Sequence, residues 1–571
     1  MGEQKNATLQ TEGKTKAHEM AKSQREISIA EFFEKNRHLL GFDNKRKALM
    51  TTIKEAVDNS IDACEEAGIL PEIMVEIIDM ENDKFRVIVE DNGPGIVKEQ
   101  IPKIFAKLLY GSKFHKIKQQ RGQQGIGISA AVMYAQLTTG KPARIVSKID
   151  PNEPAHYYEL KINTKENRPD IVNEGTKDWN KNHGTRIEID LVGSYNKGKQ
   201  SVDEYIKQTA IINPHCTLIY QPPKGDQIML VRATDKKPQM SVEIKPHPYG
   251  VELGMLIKML EGTTATNIKQ FLKEDFSRVG DKSAEEILET AHILNKTKPK
   301  EITRDMAEKL LEAMQKTKLM MPPTDCIVAI GDVTLEKGIK KEINAEFYTT
   351  VSRSPQVYRG YPFLVEASLA YGGDLKSDGA VELMRFANRV PLLYQQGACC
   401  TSEAVTATNW KSYGLQQSGK NMPVGPMVLV IHIASVFVPF TSEAKEAIAH
   451  YPEIIKEMKL AVQEVGRNLG KYLLKKRKVK DELKKRSYIE TYIPHIAEAL
   501  KEILGTDAED EELVKMHLQR ALEKHRGKAE KIEFDPTKNE EYDEDFAKIG
   551  RDDGNDEDDD DNDENEKGDL E

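Results

Sequence analysis

The sequence predicts an α+β chain of several domains: a two-layer α/β unit, an all-helical insert, a second α/β unit running into a long helix, and an acidic tail. Three observations predict it. At 571 residues the chain exceeds the size at which a single core splits. Strand-like alternation falls in two blocks, residues 72–191 and 362–440, with a helix-patterned stretch over 245–321 between them. The last forty or so residues are rich in Asp, Glu, Asn and Gly and poor in apolar side chains, so burial cannot offset the entropy of ordering them.

The boundaries follow these changes of texture. Residues 1–27 form a polar, Lys-rich N-terminal arm without the apolar stretch of a signal peptide. The first α/β domain spans 28–244. A helical stretch follows from Ile29, and Arg46–Ala67 then carries Leu49, Ile53, Val57, Ile61 and Cys64 on one helical face, stopped by Gly68 and Pro71. Two alternating runs, Glu72–Asp79 and Lys84–Glu90, joined by a polar turn, read as a hairpin. Further strands are expected at Ala143–Ile149, His156–Ile162 and Thr185–Leu191. The helical insert spans 245–323; within it Ser283 and Glu286 read as an S-x-x-E capping box, and Pro322 and Pro323 close it. The second α/β domain, 324–490, is strand-rich from about Thr324, with alternation at Pro362–Tyr371, Val381–Val390 and Met427–Phe440. A long charged helix starts near Ser442 and carries the basic run Lys475–Arg486. A C-terminal helical region, 491–533, precedes the disordered acidic tail, 534–571.

Composition narrows the function classes. No apolar run approaches the 18 or so residues that span a bilayer, so the chain reads as soluble and cytoplasmic, with no membrane partner. Five cysteines without CxxC or Cys/His spacing argue for reduced packing residues rather than disulfides or zinc. The formal net charge of -10 belongs to the tail: residues 551–571 hold 13 acidic and 2 basic residues, a net of -11, which leaves +1 for the rest. A near-neutral body does not exclude nucleic acid, because local basic stretches decide that contact.

Four short motifs carry the chemistry. Glu55 and Asn59 lie four apart on the first long helix, away from its apolar face. A carboxylate there can act as general base toward a water, and an amide oxygen one turn on can ligate Mg²⁺, which takes few protein ligands. Asp91-Asn92-Gly93-Pro94-Gly95 stands at a strand end; its glycines permit a tight bend with close ligand approach, and its aspartate can accept from an exocyclic amine such as that of adenine. Gly122-Gln123-Gln124-Gly125-Ile126-Gly127-Ile128-Ser129 precedes the helical run Ala130–Leu137, so successive backbone N–H groups can cradle phosphate. Its G-x-x-G-x-G order is neither the dinucleotide fingerprint nor a P-loop. Finally, His183-Gly184-Thr185 leads into a strand and sets a hydroxyl beside the site. Each motif alone is ordinary: a solvated face, a turn, a loop.

Together, within about 135 residues, the four resemble the Bergerat ATP-binding fold of the GHKL superfamily, which includes gyrase-type topoisomerase ATPases, MutL repair proteins, histidine kinases and large heat-shock chaperones. The resemblance implies that ATP and Mg²⁺ are the cofactors, that Glu55 activates the water, Asn59 binds the metal, Asp91 reads adenine, and Gly122–Ser129 forms a lid over the phosphates. Glu55 argues against the histidine kinases. Tyr110-Gly111-Ser112-Lys113-Phe114 and the Gln123-Gln124 pair look like the topoisomerase VI B family, which implies nucleotide contacts by Ser112 and Lys113. The insert is similar in placement to that family's helix-two-turns-helix domain, and the second α/β domain to its transducer. That family's W-K-x-Y loop matches Trp410-Lys411-Ser412-Tyr413, so Lys411 is the expected γ-phosphate lysine, its aromatic neighbours aiming it, with Lys420 and Lys445 weaker for want of such anchors.

The function so implied is an ATP-driven B–B dimer clamp that gates passage of one DNA duplex through another. No acidic metal-site pair in a strand-ended setting follows Phe440, so cleavage is assigned to a separate subunit docked through the C-terminal helical region; the resemblance implies that this is the topoisomerase VI A subunit, in an A2B2 assembly. The alternative is a GHKL mismatch-repair clamp or chaperone that holds a partner without cutting DNA. The insert, the Tyr110–Phe114 motif and the basic helix favour the topoisomerase. A scaffold with a dead ATP site is opposed by intact Glu55 and Asn59.

Overall fold

The computed structural model describes residues 27–526, apart from 113–115, 123–124, 443 and 506, together with Lys16 and Met20. The rest of the N-terminal arm, the acidic tail, Lys113, Gln123 and Gln124 lie outside the described residues.

The first layered unit begins with a short helix α1 (Ile29–Lys35) and the long helix α2 (Lys45–Glu66). Asn44 caps α2 by accepting from the Lys47 N–H at 2.9 Å, and Leu49, Ile53, Val57, Ile61 and Cys64 are fully buried along it, as their spacing requires. Strands β1 (Glu72–Asp79) and β2 (Lys84–Glu90) form the expected antiparallel hairpin. Then come α3 (Ile101–Ala106), α4 (Gly127–Thr139), β3 (Ala143–Lys148), β4 (Ala155–Asn163), β5 (Arg168–Lys177), β6 (Gly184–Val192), α5 (Val202–Ile212), β7 (Thr217–Gln221) and β8 (Ile228–Leu230). The strands make one eight-stranded sheet in the order β5-β4-β3-β6-β2-β1-β7-β8, antiparallel except for β1 with β7. Its core is the space between this sheet and α2, α4 and α5, filled by side chains such as Ile53, Val75, Ala131, Ile189 and Tyr205.

Four helices follow, α6 (Leu253–Gly262), α7 (Ile268–Asp275), α8 (Asp281–Thr290) and α9 (Arg304–Lys316), around a separate small core built on Leu256, Phe271, Ile287 and Leu310. The expected capping box differs in detail. α8 opens at Asp281, with extended Gly280 as its cap, and Ser283 is its third residue, whose hydroxyl accepts from the Gly280 N–H at 2.9 Å.

After Pro323, read from sequence as strand-rich, the chain first forms helix α10 (Asp332–Glu342). A six-stranded sheet then assembles from β9 (Phe347–Ser352), β10 (Gln356–Tyr358), β11 (Tyr361–Tyr371), β12 (Glu382–Ala387), β13 (Val390–Pro391) and β14 (Met427–Ser435), in the order β10-β11-β14-β12-β13 with β9 also pairing β11. Between β13 and β14 lies α11 (Cys400–Thr406). The long helix α12 (Pro452–Leu504) starts ten residues later than Ser442, because Phe440 and Ile448 pair across a tight loop first. Ile454, Met458, Val462, Val465 and Leu469 of α12 seal the second core, and α13 (Ala508–Arg526) folds back along its far end. The five cysteines are buried and unpaired. No helix among the described residues is long and apolar enough to cross a membrane.

Candidate functional site

A cavity of about 660 Å³ opens between α2, the ends of β2 and β6, the first turn of α4, and two segments of the second layered unit, residues 391–394 and 444–446. That volume suits a nucleotide-sized ligand. Glu55, Asn59, Asp91, Gly95, Ser112, Gly122, Gly125, Ile126, Gly127, Ile128 and Thr185 all line it.

Asp91 lies at its inner end, 4% exposed. Oδ1 accepts from the backbone N–H groups of Gly93 at 2.9 Å and Thr185 at 3.0 Å, and Oδ2 from the Ser60 hydroxyl at 2.9 Å. A carboxylate oxygen can accept twice, so Oδ2 keeps capacity for one donor in the cavity. Burial raises its pKa against these stabilising bonds. Gly93 therefore holds Asp91 from behind rather than lining the cavity. Two other glycines are sterically obligatory: at Gly95 (φ 73°) a Cβ would overlap the Lys148 carbonyl, and at Gly184 (φ 140°) the carbonyl of Asp91.

Glu55 faces the opening of α4, and a Cβ on Gly127 would collide with its carboxylate. The exposed N–H groups of that first turn favour negative charge. Ser129 is buried beneath the turn and donates to the Ile126 carbonyl at 3.1 Å. Asn59, one turn beyond Glu55, is exposed. Lys54 lies 3.5 Å from both Glu55 Oε1 and Asp58 Oδ2; burial opposes its charge, but the two carboxylates outweigh it and raise the Lys54 pKa. Burial likewise raises Asp58, whose Oδ1 accepts from the Tyr205 hydroxyl at 3.1 Å.

The structure places the two candidate lysines of the second unit differently. Trp410 and Tyr413 are indeed buried anchors, with Trp410 Nε1 donating to the Val405 carbonyl at 2.9 Å. They pack into the second core, Tyr413 against Gly466 of α12, and leave Lys411 exposed and outside the cavity. Lys445 lines the cavity instead. Its φ is 54°, its ammonium donates to the Arg121 carbonyl at 3.2 Å, and burial lowers its pKa. Its anchor is the next residue: the Glu446 carboxylate pairs with Lys47 of α2 and accepts from Gln395 Nε2 at 2.6 Å. Sequence reasoning also missed Lys47, Lys54 and Tyr394 on the cavity wall; the charged pair Lys445-Glu446 was the available signal.

The fold of the first unit, with Glu55 against a helix N-terminus and a buried aspartate on one cavity, is that of the GHKL class of ATPases. Residues 44–191 match the family described as histidine kinase-, DNA gyrase B-, and HSP90-like ATPase. Residues 322–485 match the family described as topoisomerase VI B subunit, transducer. Over 495 residues the chain is 53% identical to the B subunit of type 2 DNA topoisomerase 6 from Methanococcoides burtonii, covering 86% of this chain and 80% of the relative. Identity to the Archaeoglobus fulgidus protein of that name is 50%, covering 89% and 85%, and to that of Natronomonas pharaonis 37%, covering 88% and 86%. The chain belongs to the topoisomerase VI B family, ATP-hydrolysing topoisomerase subunits of type IIB. The mismatch-repair and chaperone readings are set aside on that ground.

Proposed function

We propose that ATP enters the cavity with its adenine amine on Asp91 Oδ2 and its phosphates over Gly122 and residues 125–128 at the opening of α4. The observation that carries this is the convergence of Glu55, Asn59, Asp91 and the α4 N-terminus on one cavity that Lys445 enters from the second unit. The residues fit the cofactor: a buried acceptor with spare capacity at one end, and at the other a glycine-lined helix terminus that a side chain would obstruct. Asn59, on the cavity wall one turn beyond Glu55, would hold Mg²⁺, which would neutralise phosphate charge when bound. Glu55 orients and deprotonates the attacking water. Lys445 reaches the terminal phosphate, so ligand state is reported to the second sheet. Thr185 and Ser112 complete the polar lining, and the roles expected for Lys113, Gln123 and Gln124 remain with the resemblance.

In this reading nucleotide closes a dimer of two copies into a clamp around duplex DNA, and hydrolysis resets it. Strand cleavage falls to the A subunit in an A2B2 assembly. The far half of α12 and α13 offers its docking face, with Tyr488, Tyr492, Ile496, Ile503 and Leu504 exposed there. The test is Glu55→Ala: nucleotide binding stays within a few-fold while turnover falls about 10²-fold or more. Unchanged turnover in a folded variant removes Glu55 from the role. For the division of labour, supercoiled plasmid with the pure chain, ATP and Mg²⁺ stays supercoiled and relaxes only once the A subunit is added.

A further inference from the structure

The stem of the phosphate loop, residues 119–121, is clasped by the second unit through an unusual turn. β12 and β13 pair Ala387 with Val390, which leaves Asn388 and Arg389 as a two-residue hairpin turn. Both have left-handed backbones, φ 48° and 64°, and both are buried, 6% and 7% exposed. Asparagine tolerates that region; arginine there is uncommon, and such residues persist where their surroundings over-determine them.

The surroundings do so here. Asn388 Nδ2 donates to the Gln120 carbonyl at 3.0 Å and to the Ser435 carbonyl at 2.9 Å, while its Oδ1 accepts from the Ser435 N–H at 2.9 Å. One amide thus ties the loop stem to the central strand β14. The Arg389 N–H donates to His432 Nε2 at 3.0 Å, so the ring proton lies on Nδ1, which donates to Glu366 Oε2 at 2.9 Å. The Arg389 carbonyl accepts from Asn213 Nδ2 at 3.2 Å. Asn213 Oδ1 in turn accepts from Arg121, whose guanidinium also grips Asp62 and Glu65 of α2 at 2.7 Å. Two adjacent carbonyls of the stem are therefore held by the second unit in different ways. Lys445, which also lines the cavity, holds that of Arg121; Asn388, locked on three sides, holds that of Gln120.

We propose that Asn388 is a positioning residue of the ATPase: it pins Gln120, next to the Arg121 carbonyl that Lys445 holds, to β14, and so keeps the residues leading to Gly122 of the cavity wall in register with Lys445. This rests on the reading of the cavity as the ATP site. Arg389 and Asn213 brace the pin against the end of α5.

The test is Asn388→Gly in the full chain. Glycine adopts the left-handed backbone freely, so a merely conformational role leaves this variant unimpaired. A positioning role predicts a KM for ATP within about two-fold of wild type, a kcat at least ten-fold lower, and a matching loss of the dimer driven by a non-hydrolysable analogue. Asn388→Asp, which keeps the acceptor for Ser435 but loses the donor to Gln120, is expected to fail in the same way. Wild-type kcat and dimer yield in a folded Asn388→Gly overturn the proposal. If wild type itself hydrolyses ATP but does not dimerise, the clamp reading fails, and the kcat comparison still decides the role of Asn388. If both variants fail to fold, hydrogen exchange on the wild type decides: the analogue should slow residues 119–121 and 386–391 together, and protection of the first segment alone refutes the pin.

Discussion

Gly127→Ala separates folding from chemistry more sharply than truncating Glu55. In isolation alanine improves a helix over glycine by about 1 kcal/mol, so α4 should tolerate or welcome it. The position looks onto Glu55, however, and the new Cβ would lie 2.5 Å from the Glu55 carboxyl carbon. The nearest atom, Glu55 Oε2, would be 1.7 Å away, far inside any non-bonded contact, so the carboxylate has to retreat by more than about 1 Å. Glu55 can do so cheaply, being partly exposed with a flexible stem, which leaves stability near wild type. A displacement of about 1 Å at a reacting group costs about 10²-fold in rate. The expected outcome is a melting temperature within a few degrees of wild type, nucleotide affinity reduced less than ten-fold, and turnover down about 10²-fold, read by single-turnover hydrolysis beside calorimetric binding. Turnover within three-fold of wild type in the folded variant refutes the placement of Glu55 against α4 as the working geometry.

The remaining predictions concern three other groups. Asp91→Asn replaces a carboxylate accepting three bonds with an amide that can meet only some of that pattern, so nucleotide affinity should fall by about 1–3 kcal/mol, seen in calorimetry; unchanged affinity rules out adenine recognition there. Lys445→Ala should lower hydrolysis measured without DNA by about 10²-fold while Lys411→Ala leaves it unchanged, and the reverse result would restore the lysine expected from the sequence. Glu366, buried against His432, has its pKa lowered to about 2: burial works against the charge, but the His432 contact and the Ile330 and Gly331 N–H groups prevail. Because the folded value is the lower one, this stabilisation is complete above about pH 4.5 and lost as pH falls toward 2, about 3 kcal/mol across the window. Glu366→Gln should lack that component in urea unfolding at pH 5 and pH 3; an equal pH dependence in the two proteins contradicts it.

Much of the first unit is legible in the sequence because its signals are local. Leu49, Ile53, Val57 and Ile61 recur at helical spacing and are all fully buried, and the turn between β1 and β2 is short and polar. Asp91 is legible because a strand end and its glycines are neighbours along the chain. Strand β5 is not: all but one of its residues are exposed, it shows no apolar alternation, and only pairing with β4 makes it a strand. A sequence reading ranks Lys445 below Lys411 for a physical reason. Aromatic neighbours are the anchors that a local pattern can show, and Lys411 has them; those rings serve the second core, whereas Lys445 is aimed by an ion pair between Glu446 and Lys47, partners from opposite ends of the folded chain. Long-range ion pairs leave no periodicity to read.

The 53 residues of α12 would give any small motion at the cavity a mechanical advantage. Its first half, up to Tyr472, is embedded in the second core beside Trp410, while the stretch beyond it runs on with mostly exposed side chains. At 1.5 Å per residue that stretch, with α13 packed along its far end, is about 48 Å long. A tilt of about 10° imposed on the embedded half, too slight to break its packing, would sweep the far end through about 8 Å, more than a full helical pitch. A lysine moving a few ångströms onto a phosphate could thus be read out at the other end of the molecule as a displacement large enough to pull apart a pair of bound protein surfaces.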